Sequence, residues 1–412
     1  SSIISDPYSL AHIRNCNAPS ANGNSFFNSP IDSAGRLVDV SDRPLLCMSS
    51  NMRNEIVVGS ADHALYSIDI SNPSRSPITM YSKSAGHTDW ITGVSHLADG
   101  RVISSSMDGK LCLWETNRRN CVDLFGHQGS ITKVVSDMVH NVAVSIGYDG
   151  KILIWSIPVQ TMSISQQRRS ASRSRSSTSS SSSSASSSAY NPAATLIGHK
   201  SPILECSYHN NGGTRGVLAS GDRDGKIIIW EIETGAMIAR YKAHNGPITS
   251  FDTTFNSDDN NYYFVSGGSD GMVKLWDSRV NSSVLKLALH ANNDTNSKKT
   301  SNSRNYSAAV SCISCFSNGN YIASGGSDNA LVLSDIRGGE TNSIVNKYQH
   351  SKNGIYSICI IGDNCIVSGD GVGTVLVYDI NGRNNDYNDR YNDYNGLKYG
   401  LNACSNGGIR GI

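Results

Sequence analysis

One unit constrains the fold more than any other feature, because the chain repeats it. Gly268-Ser269-Asp270-Gly271-Met272-Val273-Lys274-Leu275-Trp276-Asp277 reads as a tight turn feeding a short strand. Asp270-Gly271 is a hairpin signal, with glycine supplying the positive φ of the turn. Met272 to Trp276 is apolar except for Lys274, a run of strand length. The same unit recurs as Asp108-Gly109 to Trp114, Asp149-Gly150 to Trp155 and Asp224-Gly225 to Trp230. A weaker copy runs from Asp328 to Asp335. Internal repetition on this scale means each unit buries its apolar faces against its neighbours, so the array forms one domain whatever its length.

Composition narrows the function classes. A net charge of +1 over 412 residues excludes a strongly basic nucleic-acid surface as the whole-chain explanation. No stretch approaches the ~20 apolar residues of a membrane span. The first residues lack a basic start followed by an apolar run, so no signal peptide is expected. Ten cysteines are too few and too scattered for a disulfide scaffold, and they read as small buried hydrophobes in a reducing compartment. The close pair Cys312 and Cys315 falls in a strand, where an offset of three points the side chains to opposite faces. No metal and no cofactor is therefore expected.

Taken in order, residues 1–42 are irregular, with one strand-like run at 36–40. A four-strand rhythm occupies 43–380. Its turn aspartates Asp62, Asp108 and Asp149 follow at intervals of 46 and 41 residues. Two polar inserts interrupt it, a Ser/Arg-rich one at 160–191 and an Asn-rich one at 292–305. The first has nothing to bury and is expected to be disordered, as a loop expansion between an outer and an inner strand. Residues 381–412 form an Asn/Asp/Tyr-rich tail in which 407–412 could add an edge strand. Without the inserts the period is about 40–45 residues, that of a four-stranded propeller blade.

These residues resemble the WD-repeat β-propeller family. The matching sets are His87, Ser104, Asp108 and Trp114; His127, Ser145, Asp149 and Trp155; His199, Ser220, Asp224 and Trp230; His244, Ser266, Asp270 and Trp276. In each, Ser precedes Asp by four and Trp follows Asp by six. The resemblance implies an all-β fold, a seven-bladed β-propeller of four-stranded antiparallel blades. The outer blades depart from the pattern. Blade six keeps Ser324 and Asp328, takes His290 as its histidine and has Ser334 for Trp. Blade seven has His350 and Ser368, with Val372 and Tyr378 for Asp and Trp; blade one keeps only Asp62. The expected ring-closing strand is 36–40, paired as the outer strand of blade seven, with the C-terminal segment as the alternative.

A Ser-His-Asp set invites a hydrolase reading. Four copies argue instead for a structural chain of hydrogen bonds in each blade, and no enzyme activity is expected. Function then lies on surfaces. By the resemblance, one rim carries the residue before each turn Asp and the loop before each first strand. This places Trp90, Met107, Tyr148, Arg223 and Tyr356, with Thr92 and Thr132 nearby, as candidate contacts for a protein or peptide partner in a larger complex. Two alternatives accompany this scaffold reading. Trp276-Asp277-Ser278-Arg279 looks like the Trp-Asp-x-Arg box of cullin-RING ubiquitin-ligase substrate receptors, in which Asp277 and Arg279 would face the adaptor. The Arg-Ser run offers Ser170, Ser172 and Ser174 as phosphosites or a short RNA contact, so an RNA-associated propeller is the other. The expected compartment is intracellular, cytoplasmic or nuclear.

Overall fold

The computed structural model describes residues 40–51, 54–69, 75–81, 85–137, 140–159, 190–209, 216–256, 261–277, 280, 282–290, 308–316, 319–361, 365–380 and 397–402. Its strands group into seven antiparallel sheets of four, ordered in each from first to last along the chain. Blade one runs over 45–80, two over 91–125, three over 131–197 and four over 203–242. Blade five runs over 248–287, six over 310–348 and seven over 355–402. The protein is a seven-bladed β-propeller, with the first strands of successive blades packed side by side. Among the described residues no helix is long and apolar enough to cross a membrane.

Local sequence explains each blade. Third strands such as Lys151–Ser156 and Lys226–Glu231 are β-branched runs buried over four consecutive positions. Outer strands such as Met237–Lys242 are mostly exposed, the apolar Met237 and Ile238 included. Between the second and third strands the turn residue takes a positive φ in every blade. It is glycine in five of them, at Gly109, Gly150, Gly225, Gly271 and Gly373; His63 and Asn329 adopt it at 73° and 63°.

The core is divided among the joints between blades. Val57 and Leu65 of blade one pack with Ile91 and Trp114 of blade two. Ile103 and Leu111 meet Ile131 and Trp155, and Val144 and Ile152 meet Ile203 and Trp230. Each tryptophan thus packs toward the preceding blade. A fully buried Ile or Leu contributes about 1.5–3 kcal/mol, so these joints hold the ring.

All seven first strands carry a register shift at the same place, after Leu45, Ile91, Ile131, Ile203, Ile248, Val310 and Ile355. Such a bulge re-aims the side chain that follows. Where that residue is threonine, its hydroxyl donates across the joint. Thr92 reaches the Ile131 carbonyl at 2.7 Å and Thr132 the Ile203 carbonyl at 2.8 Å, and Thr249 reaches Val310.

Two expectations are corrected here. The outer strand of blade seven is Leu397–Asn402, paired with Thr374–Asp379, and not residues 36–40. Val40 is irregular; 36–39 and the proposed edge strand 407–412 lie outside the described residues. Blade seven therefore closes in chain order like the other six. The Ser-rich insert falls inside blade three, between its third and outer strands, rather than between blades. Residues 160–189 lie outside the described residues, with the candidate phosphosites Ser170, Ser172 and Ser174. The Asn-rich insert lies between blades five and six. There the Ala308 amide donates to the His290 carbonyl at 3.1 Å and ties its two ends.

Candidate functional site

The repeated polar residues meet inside each blade. In blade two the Trp114 indole donates to Ser104 Oγ at 2.9 Å; Ser104 Oγ lies 2.8 Å from His87 Nε2, and His87 Nδ1 lies 3.0 Å from Asp108. Blade three repeats this with Trp155, Ser145, His127 and Asp149 at 2.9, 2.8 and 3.1 Å. Blade five does so with Trp276, Ser266, His244 and Asp270, all at 2.8 Å. Burial pushes the His127 imidazole below its ordinary value, only partly opposed by Asp149. A neutral ring gives one consistent assignment: indole N–H to Ser, Ser O–H to Nε2, and Nδ1–H to the carboxylate. The order of groups is that of a hydrolytic triad. The serine residues Ser104, Ser145, Ser220, Ser266 and Ser324 are all 0% exposed, however, so these hydroxyls meet no substrate.

Blade four corrects the expected set. His199 Nδ1 bonds Asp222 at 2.9 Å, not Asp224. Asp224 is exposed, 3.7 Å from Lys226. The reason lies two residues after the serine. In blades three, five and six that position is Gly147, Gly268 or Gly326, whose absent Cβ would stand 3.0, 2.4 or 2.3 Å from the histidine Nδ1. With glycine there, the aspartate two residues on reaches the ring. An aspartate at that position arrives first. Asp222 also accepts the amides of Asp224 and Lys226 at 3.0 and 2.8 Å. Burial alone would raise its carboxyl, but the His199 hydrogen bond and these amides bring it below its ordinary value. Asp270 shows the same balance: burial opposes, His244 and the amides of Asn245 and Met272 prevail, and the carboxyl falls to about 2.

Blade six keeps its expected histidine, while blades one and seven use substitutes that residue type did not reveal. In blade six His290 bonds Ser324 at 2.9 Å and Asp328 at 2.8 Å, while Ser334 at the tryptophan position is buried with no partner for its hydroxyl among the described residues. In blade seven the histidine position, four residues before the buried isoleucine, holds Ser351 and not His350. Ser351 donates to Asp370 at 2.8 Å, and Asp370 accepts the Val372 and Thr374 amides at 3.0 and 2.8 Å, the arrangement of Asp222. His350 instead packs 5.8 Å from the buried ring of Tyr378. Blade one has Ser41 at the histidine position, donating to Asp62 at 2.6 Å. The signal that locates Ser41 and Ser351 is the four-residue distance to the start of the first strand, not residue type. Cys312 and Cys315 take separate partners, the Ile355 carbonyl at 3.6 Å for the Cys312 thiol and Asp252 at 2.7 Å for the Cys315 amide.

One rim is organised by a bond present in every blade. The residue after the second strand donates its amide to the carbonyl just before the first strand. These pairs are Ala61–Pro44, Met107–Trp90, Tyr148–Ser130, Arg223–Pro202, Ser269–Pro247, Ser327–Ala309 and Gly371–Gly354. The Ser130 hydroxyl donates to the Met107 carbonyl at 2.9 Å, which joins the rims of blades two and three. Trp90 is 51% and Tyr148 47% exposed on this path; Arg223 is exposed and Met107 half-buried. Thr92 and Thr132 leave the candidate surface, since their hydroxyls bond the next blade. Tyr356 occupies the same bulge in blade seven and is 38% exposed, with blade one between it and Trp90. Asp277 is buried, and Arg279 lies outside the described residues.

Comparison with known proteins agrees with this architecture. The model for the WD domain, G-beta repeat, matches residues 77–115. The model for the nucleolar protein 10-like N-terminal domain, a β-propeller, matches 208–385. The guanine nucleotide-binding protein subunit beta of Oryza sativa subsp. japonica is 24% identical over 243 residues, which cover 53% of this chain and 59% of that protein. Telomerase protein component 1 of Rattus norvegicus is 27% identical over 254 residues, 57% of this chain and 9% of that protein. The chain thus spans under two thirds of the length of either relative. The crystal structure of the computationally designed Ika8 protein superposes with a TM-score of 0.62 at 19% identity, over 91% of this chain and 92% of that one, a likeness of fold. With its recurring turns, its histidine–aspartate pairs and these matches, the chain belongs to the WD-repeat β-propeller family.

Proposed function

We propose that this chain is a non-catalytic interaction scaffold that holds a protein or peptide partner on the rim of blades two to four. One observation carries the reading. Trp90, Met107, Tyr148 and Arg223 lie on three consecutive blades of one rim, the first two blades joined through Ser130, and their large side chains are exposed or half-buried. The corresponding positions in blades five to seven are Pro247, Ser269, Ala309, Ser327, Gly354 and Gly371, which offer little side chain. Exposed Trp, Tyr and Arg are the residue types that dominate binding energy. Two aromatic rings beside a guanidinium suit an extended segment with apolar residues and a carboxylate. The relatives' names, a subunit and a protein component, fit membership of a larger assembly. The nucleolar protein 10-like match makes the nucleus the compartment to examine first.

The test is affinity purification of the full chain with the double variant Trp90→Ala/Tyr148→Ala, and Tyr356→Ala as a control on blade seven. Each truncation of a binding anchor costs about 2 kcal/mol or more, so the double variant should lose its partner while Tyr356→Ala keeps it. Retention of every partner by the double variant sinks the reading. Selective loss of a ligase adaptor with Arg279→Ala would replace it with the receptor reading.

A further inference from the structure

Outside the rim and the blade-centre sets lies a cluster that spacing in the chain conceals. Cys112 and Cys121 are nine residues apart on neighbouring strands, Lys110–Trp114 and Cys121–Phe125. Register pairs Cys112 with Asp123 and Trp114 with Cys121, so Lys110, Cys112, Cys121 and Asp123 share the face turned toward blade one. The two thiol sulfurs and a carboxylate oxygen of Asp123 all lie within 4.8 Å of one another. Asp123 Oδ1 is 3.4 Å from Cys112 Sγ and 3.9 Å from Cys121 Sγ. Among the described residues, no other group of His, Cys, Asp and Glu brings three ligand atoms this close.

We propose that Cys112, Cys121 and Asp123 form a binding site for a thiophilic divalent cation, Zn2+, at the outer edge of blade two. Four-coordinate zinc holds sulfur at about 2.3 Å and carboxylate oxygen at about 2.1 Å, which sets ligand–ligand edges of about 3.5–3.8 Å. The sulfur–oxygen distances already approach those edges. Lys110 Nζ sits 2.6 Å from the other oxygen, Asp123 Oδ2, and so turns Oδ1 toward the thiols, as an outer-shell partner does. Charge also closes: two thiolates and one carboxylate balance the dication and the Lys110 ammonium. Binding releases the two thiol protons to solvent. His87 Nδ1 lies 3.7 Å from Cys112 Sγ but is held by Asp108, so the fourth position falls to solvent, which reaches the half-exposed Cys121 and Asp123.

The cation would pin the outer strand of blade two to its third strand, against blade one. The test titrates Cd2+, as an optical probe, into the reduced, metal-free full chain and then competes it with Zn2+. The wild type should develop a sulfur-to-cadmium charge-transfer band larger than that of Cys121→Ser by one site, and Zn2+ should remove the difference. Asp123→Asn should keep the band and weaken the affinity. Superimposable titrations of wild type and Cys121→Ser overturn the proposal. A second readout needs no variant: Zn2+ should slow alkylation of Cys121 in the folded wild type, followed by peptide mass spectrometry. Alkylation at the same rate with and without Zn2+ overturns it equally.

Discussion

Blades five and six stand side by side and differ at one polar position. Blade five has Trp276 donating to Ser266; blade six has Ser334 there, buried, with its hydroxyl unpartnered among the described residues. The rest of the geometry hardly changes. Histidine to serine is 2.8 Å in one and 2.9 Å in the other, and histidine to aspartate is 2.8 Å in both. The histidine–aspartate pair therefore stands without the indole. What holds it is the turn: Asp270 also accepts the Met272 amide at 3.2 Å and Asp328 the Ala330 amide at 3.3 Å. The tryptophan instead fills volume at the joint with the preceding blade, where Trp276 lies 4.9 Å from Tyr241.

The largest effect that can break this comparison is Trp276→Ser, which rebuilds blade six inside blade five. It should cost about 3–5 kcal/mol by the lost volume, measured by denaturant unfolding. The hydrogen bond between His244 Nδ1 and Asp270 should persist, read as a retained Nδ1–H signal by nitrogen NMR. Loss of that signature would show that the indole is needed for the pair.

Blade four sharpens the point about the turn. Asp222→Ala strands the buried His199 N–H and two backbone amides and should cost about 2–3 kcal/mol. Asp224→Ala, at the position the repeat pattern favours, should stay within about 0.5 kcal/mol. Equal costs would return the role to Asp224.

Acid sets an effect smaller than the loss of Trp276. The Asp270 carboxyl is held down to about 2 in the fold, against about 3.9 in the unfolded chain. A depressed carboxylate stabilises above its unfolded value, and that contribution disappears as pH falls through the folded value. It amounts to about 2 kcal/mol lost between about pH 4 and pH 2. Asp328 is depressed by the same kind of partner, so Asp270→Asn and Asp328→Asn should each flatten the acid limb of the stability curve. A flattening in blade five alone would tie the effect to the tryptophan.

Much of the fold was legible because its signals are local. An Asp-Gly turn and a β-branched strand act within ten residues, and four near-identical copies made the blade count readable past two long inserts. Closing such inserts costs only a logarithmic entropy, so the repeat continues on their far side. The polar sets were legible where residue type and spacing coincided, and misleading where they did not. Asp222, Ser41 and Ser351 take their roles from where the backbone delivers a short side chain. Several oxygens can answer one N–H, and the linear pattern does not rank them by distance.

The sequence by itself determined the repeating unit, its turn and its strand faces, since these follow from φ preferences and a two-residue period. Only the tertiary structure decided which strand closed blade seven, which aspartate met His199 and which threonines were withdrawn from the rim. It alone brought Cys112, Cys121 and Asp123 together. Each of these depends on register between strands or on contact between blades, and such distances are fixed by packing across the sheet rather than by order along the chain.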